Sequence, residues 1–233
     1  MFKVKIFADG AEKEKMLAAT KNPLVAGFTT NPTLMKKAGV TDYKAFAQEM
    51  ISLIPDKSLS FEVFADEFDE MERQAKDIAS WGENVYIKIP ITNTKGESSL
   101  PLVKKLSDAG AKLNVTAIFT LKQVEDTVKA LENSKGAYIS VFAGRIADAG
   151  VDPMPIMAKS LEFLKVNPNL ELLWASVREV FNVVQADTVG CHIITAPDSI
   201  INKLSSIGKD LDEFSLDTVK MFYKDATAAG FSL

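Results

Sequence analysis

Short apolar, β-branched runs recur eight times along this chain, each parted from the next by a longer stretch. They are Lys3–Ala8, Leu24–Thr29, Leu59–Phe64, Asn84–Ile89, Lys112–Ile118, Ala137–Phe142, Leu170–Ala175 and Cys191–Thr195. Several of the stretches between them carry the period of one helix face. Tyr43, Phe46, Ala47, Met50, Ile51 and Ile54 recur at three- and four-residue spacing, as do Met71, Ala75, Ile78 and Ala79. Leu100, Val103 and Leu106 repeat the pattern, followed by Leu121, Val124 and Val128 and then Ile156, Leu161 and Leu164. Thr41 or Asp42, Ser98, Thr120 and Asp152 (with Pro153 behind it) supply helix starts, and Gly39, Gly110 and Gly136 supply helix ends.

Strands that alternate with helices build a parallel sheet. Eight units in 233 residues allow about 29 residues each, the size of one βα unit. Eight of them favour a closed (β/α)8 barrel over an open doubly wound sheet. The turn after the first strand reads Asp9-Gly10-Ala11-Glu12, without the Gly-x-Gly-x-x-Gly pattern of a dinucleotide-binding sheet. Pro197–Leu204 reads as the eighth helix and Ser215–Ala229 as an extra C-terminal helix. The latter carries Leu216, Val219, Phe222, Tyr223 and Ala226 on its apolar side, a face expected to lie over the barrel or a neighbouring subunit. With no linker, low-complexity segment or repeat, residues 1–233 read as one α/β domain, a (β/α)8 barrel with an extra helix.

Composition then narrows the chemistry. Lys and Arg number 27 against 31 Asp and Glu, a net charge of −4, which argues against nucleic acid as the main partner. Cys191 and His192 are the sole members of their types, so no disulfide framework or cysteine-based zinc site is expected. A metal centre needing two histidines cannot be built within one chain. No apolar run is long enough to span a membrane, and the stretch from Met1 to Asp9 is broken too early for a signal peptide. The expectation is a soluble cytoplasmic protein.

A barrel of this type forms its site at the carboxyl ends of its strands. Seven of the eight runs are expected to point a polar group at that common face: Asp9, Thr29-Thr30-Asn31, Glu62, Lys88, Asn114-Val115-Thr116, Phe142-Ala143-Gly144-Arg145 and Ser176-Val177-Arg178. The eighth, Ile193-Ile194-Thr195-Ala196, contributes little. Lys88 stands among Val85, Ile87, Ile89 and Ile91, where burial is expected and a charged ammonium is costly. A neutral amine is a nucleophile that forms a Schiff base with a carbonyl. The alternative is a lysine that snorkels to solvent or forms a structural ion pair with Glu62 or Asp9. Glu62 is either that partner or a general acid/base, and Asp9 is either a helix cap or a base toward a substrate hydroxyl. Asn114 and Thr116 alternate, so both point into the barrel. Ser176 and Arg178 suit a phosphate at a helix start, or else Ser176 is an N-cap and Arg178 lies on the surface. Cys191 and His192 read as core packing.

These motifs resemble the transaldolase family. Gly27-Phe28-Thr29-Thr30-Asn31-Pro32-Thr33-Leu34 is similar to the signature after its second strand, and Val85-Tyr86-Ile87-Lys88-Ile89-Pro90 to the segment around its Schiff-base lysine. The order of the remaining motifs agrees over nearly the whole chain, and the length is similar to the short subfamily that includes fructose-6-phosphate aldolase. Glu62, Phe142 and Asn114 resemble the transaldolase rather than the aldolase version. Gly10 departs from the Thr or Ser often found after the first-strand Asp.

The resemblance implies that Lys88 forms a Schiff base with a ketose phosphate such as sedoheptulose 7-phosphate or fructose 6-phosphate. Glu62 shuttles protons through a water held with Thr116, and Asp9 takes the carbon-4 hydroxyl proton. Thr29, Asn31, Asn114 and Phe142 surround the retained dihydroxyacetone unit. Ser176, Arg178 and Arg145 bind phosphate. The acceptor is an aldose phosphate, glyceraldehyde 3-phosphate or erythrose 4-phosphate, in the chemistry of the pentose phosphate pathway. No metal or organic cofactor is implied, and the assembly implied is a homo-oligomer, a decamer of two pentamers. The competing expectations are a lyase that releases free dihydroxyacetone, a non-catalytic sugar-phosphate-binding barrel, and a transferase tuned to an unusual sugar.

Overall fold

Eight parallel strands close on themselves in chain order in the computed structural model, which describes residues 2–232. They are β1 (Lys5–Asp9), β2 (Val25–Thr29), β3 (Ser58–Glu62), β4 (Val85–Pro90), β5 (Leu113–Ile118), β6 (Ala137–Val141), β7 (Leu170–Trp174) and β8 (Ile193–Ala196). β8 pairs back onto β1, with Phe7 opposite Thr195. Each strand lies within two residues of its expected run. The outward positions pack under the helices, and Phe28, Leu59, Ile87, Ile89, Val115 and Ile139 are all but inaccessible to solvent.

Inward positions follow from the two-residue period of a strand. Phe7, Tyr138, Leu173 and Ile193 form a buried cluster with Tyr86 packed against it. Tyr86 and Tyr138 stack with ring centroids 3.9 Å apart, and Phe7 meets Tyr138 edge-on at 5.7 Å. Glycine at position 27 makes room for this layer, because a Cβ there would lie 2.7 Å from Cζ of Phe7 and would have to displace its ring. This aromatic layer closes the barrel. Two residues further along the same strands stand Asp9, Thr29, Lys88, Ser140, Ala175 and Thr195, which face the carboxyl end.

Side-chain caps explain several of the helix starts. Asp42 accepts from Ala45 N, Asp152 accepts from Met154 N, and Thr120 forms a reciprocal capping box with Gln123. Gly39 and Gly110 take the left-handed conformation of a helix end, at φ 76° and 88°. Gly136 does not end a helix: Leu121–Ala130 finishes earlier, capped by Leu131. The expected eighth helix is an α-helical turn, Asp198–Ile201, followed by a 3-10 stretch, Asn202–Ser206. Cys191 and His192 precede β8. The buried Cys191 thiol lies 3.3 Å from the carbonyls of Leu172 and Ile193, and His192 Nδ1 accepts the Leu172 amide at 2.9 Å.

The chain forms two compact units, Met1–Ile201 and Asn202–Leu233. The first holds the barrel. The second holds a 19-residue helix, Leu211–Ala229, that starts four residues earlier than expected because Asp210 caps Asp212 and Glu213. None of its side chains is buried. Among the described residues no helix is long and apolar enough to cross a membrane, and no cluster of three or more metal-ligating side chains occurs.

Candidate active site

Lys88 stands opposite Glu62 on one side and Asn114 on the other, in register across β3, β4 and β5. Its side chain is 8% exposed, and its ammonium lies 3.1 Å from Glu62 Oε2. The same ammonium donates to the Thr30 carbonyl at 2.9 Å. A buried lysine is thus paired with a carboxylate and a carbonyl while its tip reaches a cavity of about 550 Å³ at the carboxyl ends of the strands. Thr116 Oγ1 is also buried, lines this cavity and has no protein partner.

Asp9 lines the opposite wall. Its Oδ1 accepts from the Thr29 hydroxyl at 2.8 Å, and Thr29 Oγ1 lies 2.5 Å from Thr195 Oγ1. Since the Thr29 proton is given to Asp9, Thr195 is the donor in the second bond. Burial pushes the Asp9 carboxyl above its ordinary range, while the nearby Lys88 ammonium and the Thr29 hydroxyl pull it part of the way back. Thr195 belongs to the strand end expected to contribute little. Its place beside Thr29 corrects that reading. Gly10 sits in open space, donates its amide to the Thr29 carbonyl, and leaves the Asp9–Thr29 bond intact.

The structure separates the remaining sequence-derived residues. Asn31 lines the cavity, but its Oδ1 caps the helix Pro32–Lys37 through Leu34 N, which leaves its amide donors for a ligand. Asn114 does not line the cavity. It is fully buried, donates to Ser60 Oγ at 3.0 Å and accepts from Ser140 Oγ at 2.6 Å, and so braces the layer beside Lys88. Phe142 covers one wall, with the Arg145 guanidinium 5.4 Å from its ring centre and the Phe119 ring centroid at 5.7 Å.

Ser176 is not a helix cap. The following helix, Phe181–Val189, starts later, and the amides of Arg178 and Glu179 already donate to Asn182 Oδ1. Arg178 reaches the cavity rim, with Nε and Nη2 both on the Asp148 carboxylate. Asp148 ends a short helix, Ala143–Asp148, that also carries Arg145, and sequence reasoning singled out neither the helix nor Asp148. Arg178 holds the Asp148 carboxyl below its usual range. No carboxylate among the described residues is ion-paired with Arg145, so the rim keeps one uncommitted cation.

Backbone strain collects here. Ala117 and Ser176, at φ 60° and 65°, are the non-glycine residues with positive φ among the described residues, and both line the cavity. Ala117 marks a register shift between Val115 and Ile118 on β5, a bulge that re-aims the strand end next to Thr116.

Fold and site together define a (β/α)8-barrel protein with a lysine–carboxylate pair under a cation-rimmed cavity. The barrel is shared with dihydrodipicolinate synthase from Rhodopseudomonas palustris at a TM-score of 0.61 and 12% identity, over 96% of this chain and 79% of that one. It is also shared with 3-hexulose-6-phosphate synthase from Salmonella typhimurium, at 0.58 and 14%, over 85% and 91%. These are likenesses of fold. In sequence, residues 6–233 match the family described as transaldolase/fructose-6-phosphate aldolase. The chain is 34% identical over 202 residues to a "probable transaldolase" of Dehalococcoides mccartyi, covering 86% of this chain and 90% of that protein. It is 37% identical over 205 residues to "probable transaldolase 2" of Listeria monocytogenes, covering 87% and 89%. The chain belongs to the transaldolase/fructose-6-phosphate aldolase family.

Proposed function

We propose that this protein is a transaldolase, which moves a dihydroxyacetone unit from a ketose phosphate to an aldose phosphate through a Schiff base on Lys88. The observation that carries this reading is the buried Lys88–Glu62 pair, 3.1 Å apart, opening on a cavity with Arg145 and Arg178 at its rim. An amine with an adjacent carboxylate can lose a proton, attack and hand the proton on.

The sequence of steps uses the groups described. Glu62 accepts a proton from Lys88, and the amine attacks the carbonyl carbon of a donor such as sedoheptulose 7-phosphate or fructose 6-phosphate. Through a water held with Thr116, Glu62 relays two protons to the former carbonyl oxygen, the one taken from the ammonium to form the carbinolamine and a second taken from its nitrogen, so that the oxygen departs as water and leaves an iminium. Asp9 takes the proton of the carbon-4 hydroxyl. The bond between carbons 3 and 4 breaks, its electron pair enters the iminium, and an enamine remains on Lys88 while the aldose phosphate leaves. Addition of an acceptor, glyceraldehyde 3-phosphate or erythrose 4-phosphate, reverses these steps, and hydrolysis of the new iminium frees Lys88. The raised affinity of Asp9 for a proton suits this role, since a stronger base removes a hydroxyl proton more readily. Arg145 and Arg178 suit a phosphate.

Phe142 favours transfer over release. A phenyl ring has no hydroxyl to protonate the enamine or position water, so the covalent unit waits for an aldehyde. The helix Leu211–Ala229 supports a homo-oligomer, since it exposes Leu211, Leu216, Val219, Phe222 and Tyr223. A decamer of two pentamers is the assembly we propose, to be checked by light scattering.

Incubation with fructose 6-phosphate, borohydride reduction and peptide mass mapping test the chemistry. A dihydroxyacetone-sized adduct on Lys88 is the expected product, and Lys88→Met should give none. Turnover retained in Lys88→Met would sink the proposal.

A further inference from the structure

Next to Lys88 the barrel is not continuously hydrogen-bonded. β2 and β3 pair through Gly27–Ser58, Phe28–Leu59 and Thr29–Ser60, and Thr30 N donates to the Ser60 carbonyl at 3.1 Å. In a regular parallel ladder the next bond runs from the Glu62 amide to the Thr30 carbonyl, and the one after from residue 32 to the Glu62 carbonyl. Residue 32 is proline and has no N–H to give. Asn31 turns β2 away into a helix at the same point. Both main-chain groups of Glu62 that face β2 are therefore left without a strand partner.

One side chain takes both. The Tyr43 hydroxyl accepts from the Glu62 amide at 2.8 Å and donates to the Glu62 carbonyl at 2.9 Å. With the amide held by Tyr43, the Thr30 carbonyl is left for the Lys88 ammonium, 2.9 Å away. Burial keeps the phenol protonated, so it can donate and accept at once. Its ring is fixed independently of the hydroxyl, packing against Phe64 at 5.5 Å, Trp81 at 6.2 Å and Phe61 at 6.4 Å.

We propose that Tyr43 is a positioning residue for the Lys88–Glu62 pair: its hydroxyl replaces the missing ladder bonds at Glu62, holds β3 apart from β2, and so reserves the Thr30 carbonyl for Lys88. The catalytic half of this inference rests on the Schiff-base reading above. The backbone half does not. Without the hydroxyl, the Glu62 amide has the Thr30 carbonyl as its natural partner and competes with Lys88 for it. Glu62 shifts with its backbone, and its carboxylate leaves the line between Lys88 and the substrate oxygen.

Tyr43→Phe removes the hydroxyl and keeps the ring. With a ketose phosphate donor, kcat and the rate of borohydride-trapped adduct formation should fall about 10- to 100-fold, as sub-ångström misplacement of a reacting group does, with KM within about twofold. A crystal structure of the variant should show the Glu62 amide on the Thr30 carbonyl and Lys88 displaced from it. Tyr43→Leu, which also removes the ring, should lose further stability without a further loss in trapping rate per folded molecule. A Tyr43→Phe enzyme that traps donor at the parent rate, a loss confined to KM, or an unmoved Glu62 backbone overturns the inference. Parent enzyme that forms no adduct with any ketose phosphate overturns the Schiff-base reading and the catalytic half with it, while the variant's structure still decides the backbone half.

Discussion

Gly144 lies directly beneath the backbone of Ser176: a Cβ built at position 144 would sit 1.6 Å from the Ser176 carbonyl oxygen. The Gly144 amide meanwhile donates to the Ala175 carbonyl at 3.3 Å, so the loop after β7 rests on the helix after β6. Gly144→Ala must push these two segments apart. It should cost at least about 1–3 kcal/mol, the usual range for overpacking, because backbone rather than a flexible side chain has to move. Denaturant unfolding reads the loss. Unaltered stability would mean that the loop yields freely.

Asp9 is held in an environment that disfavours its charge, so its folded-state affinity for a proton exceeds that of the unfolded chain. The sign follows from linkage: the stabilisation from a bound proton is complete below the unfolded value and is lost as pH rises through the folded one. At neutral pH the ionised carboxylate is therefore a burden on the fold. Asp9→Asn should raise the melting temperature at pH 7, and the gain should shrink as pH falls toward the ordinary aspartate range. The same variant should lose about 10²- to 10⁴-fold in kcat, the usual contribution of a general base. Calorimetry across pH together with one rate assay checks both halves. An Asp9→Asn protein less stable than its parent at pH 7 contradicts the argument.

Arg145 and Arg178 stand at the rim, but Arg178 is already shared with Asp148. On the proposed function, a phosphate would have to compete with a carboxylate for Arg178, whereas the Arg145 guanidinium stands against the Phe142 ring. Arg145→Ala should raise KM for a ketose phosphate by about 10- to 100-fold, consistent with the loss of a charged hydrogen bond. The rate of adduct formation with unphosphorylated dihydroxyacetone should be unchanged. Steady-state kinetics with both substrates separates the two effects, and equal losses with both would remove Arg145 from phosphate binding.

Phe142→Tyr adds a hydroxyl to a wall of the cavity that now offers none. Cleavage of fructose 6-phosphate without any acceptor should rise, as the enamine gains a nearby proton source. An enzyme-coupled assay for released dihydroxyacetone measures it. If release stays at the parent level, the phenyl ring is not what retains the three-carbon unit.

The barrel was legible because eight apolar runs of regular spacing have few other ways to bury themselves, and each strand end fell within two residues of its run. Helices with a clear apolar stripe and a capping side chain were legible for the same reason. Lys13–Thr20 was not, since it buries only Met16 and has no side-chain cap, and Phe181–Val189 was not, since its apolar residues give no polar face to contrast. In the site, Lys88, Glu62, Asp9 and Thr116 stood out as polar residues at inward strand positions. Asp148 and Tyr43 did not, because each sits on a helix where an acid or an aromatic residue is ordinary, and only the folded chain brings Asp148 to Arg178 and Tyr43 to Glu62. Thr195 was passed over because a threonine in an apolar strand suits packing as well as a hydrogen bond. The strain at Ala117 and Ser176 leaves no trace in residue type.

Cys191 gives the chain a built-in gauge of its own integrity. The sole thiol is sealed in the barrel wall, and burial pushes its pKa up to about 12. At neutral pH it is almost wholly un-ionised, and no reagent reaches it while the barrel is shut. Alkylation therefore counts only molecules that have opened, one mark at most per molecule, with no background from other cysteines of the chain. Every variant described above can be ranked for stability in unpurified mixtures by the rate at which a single mass increment accumulates.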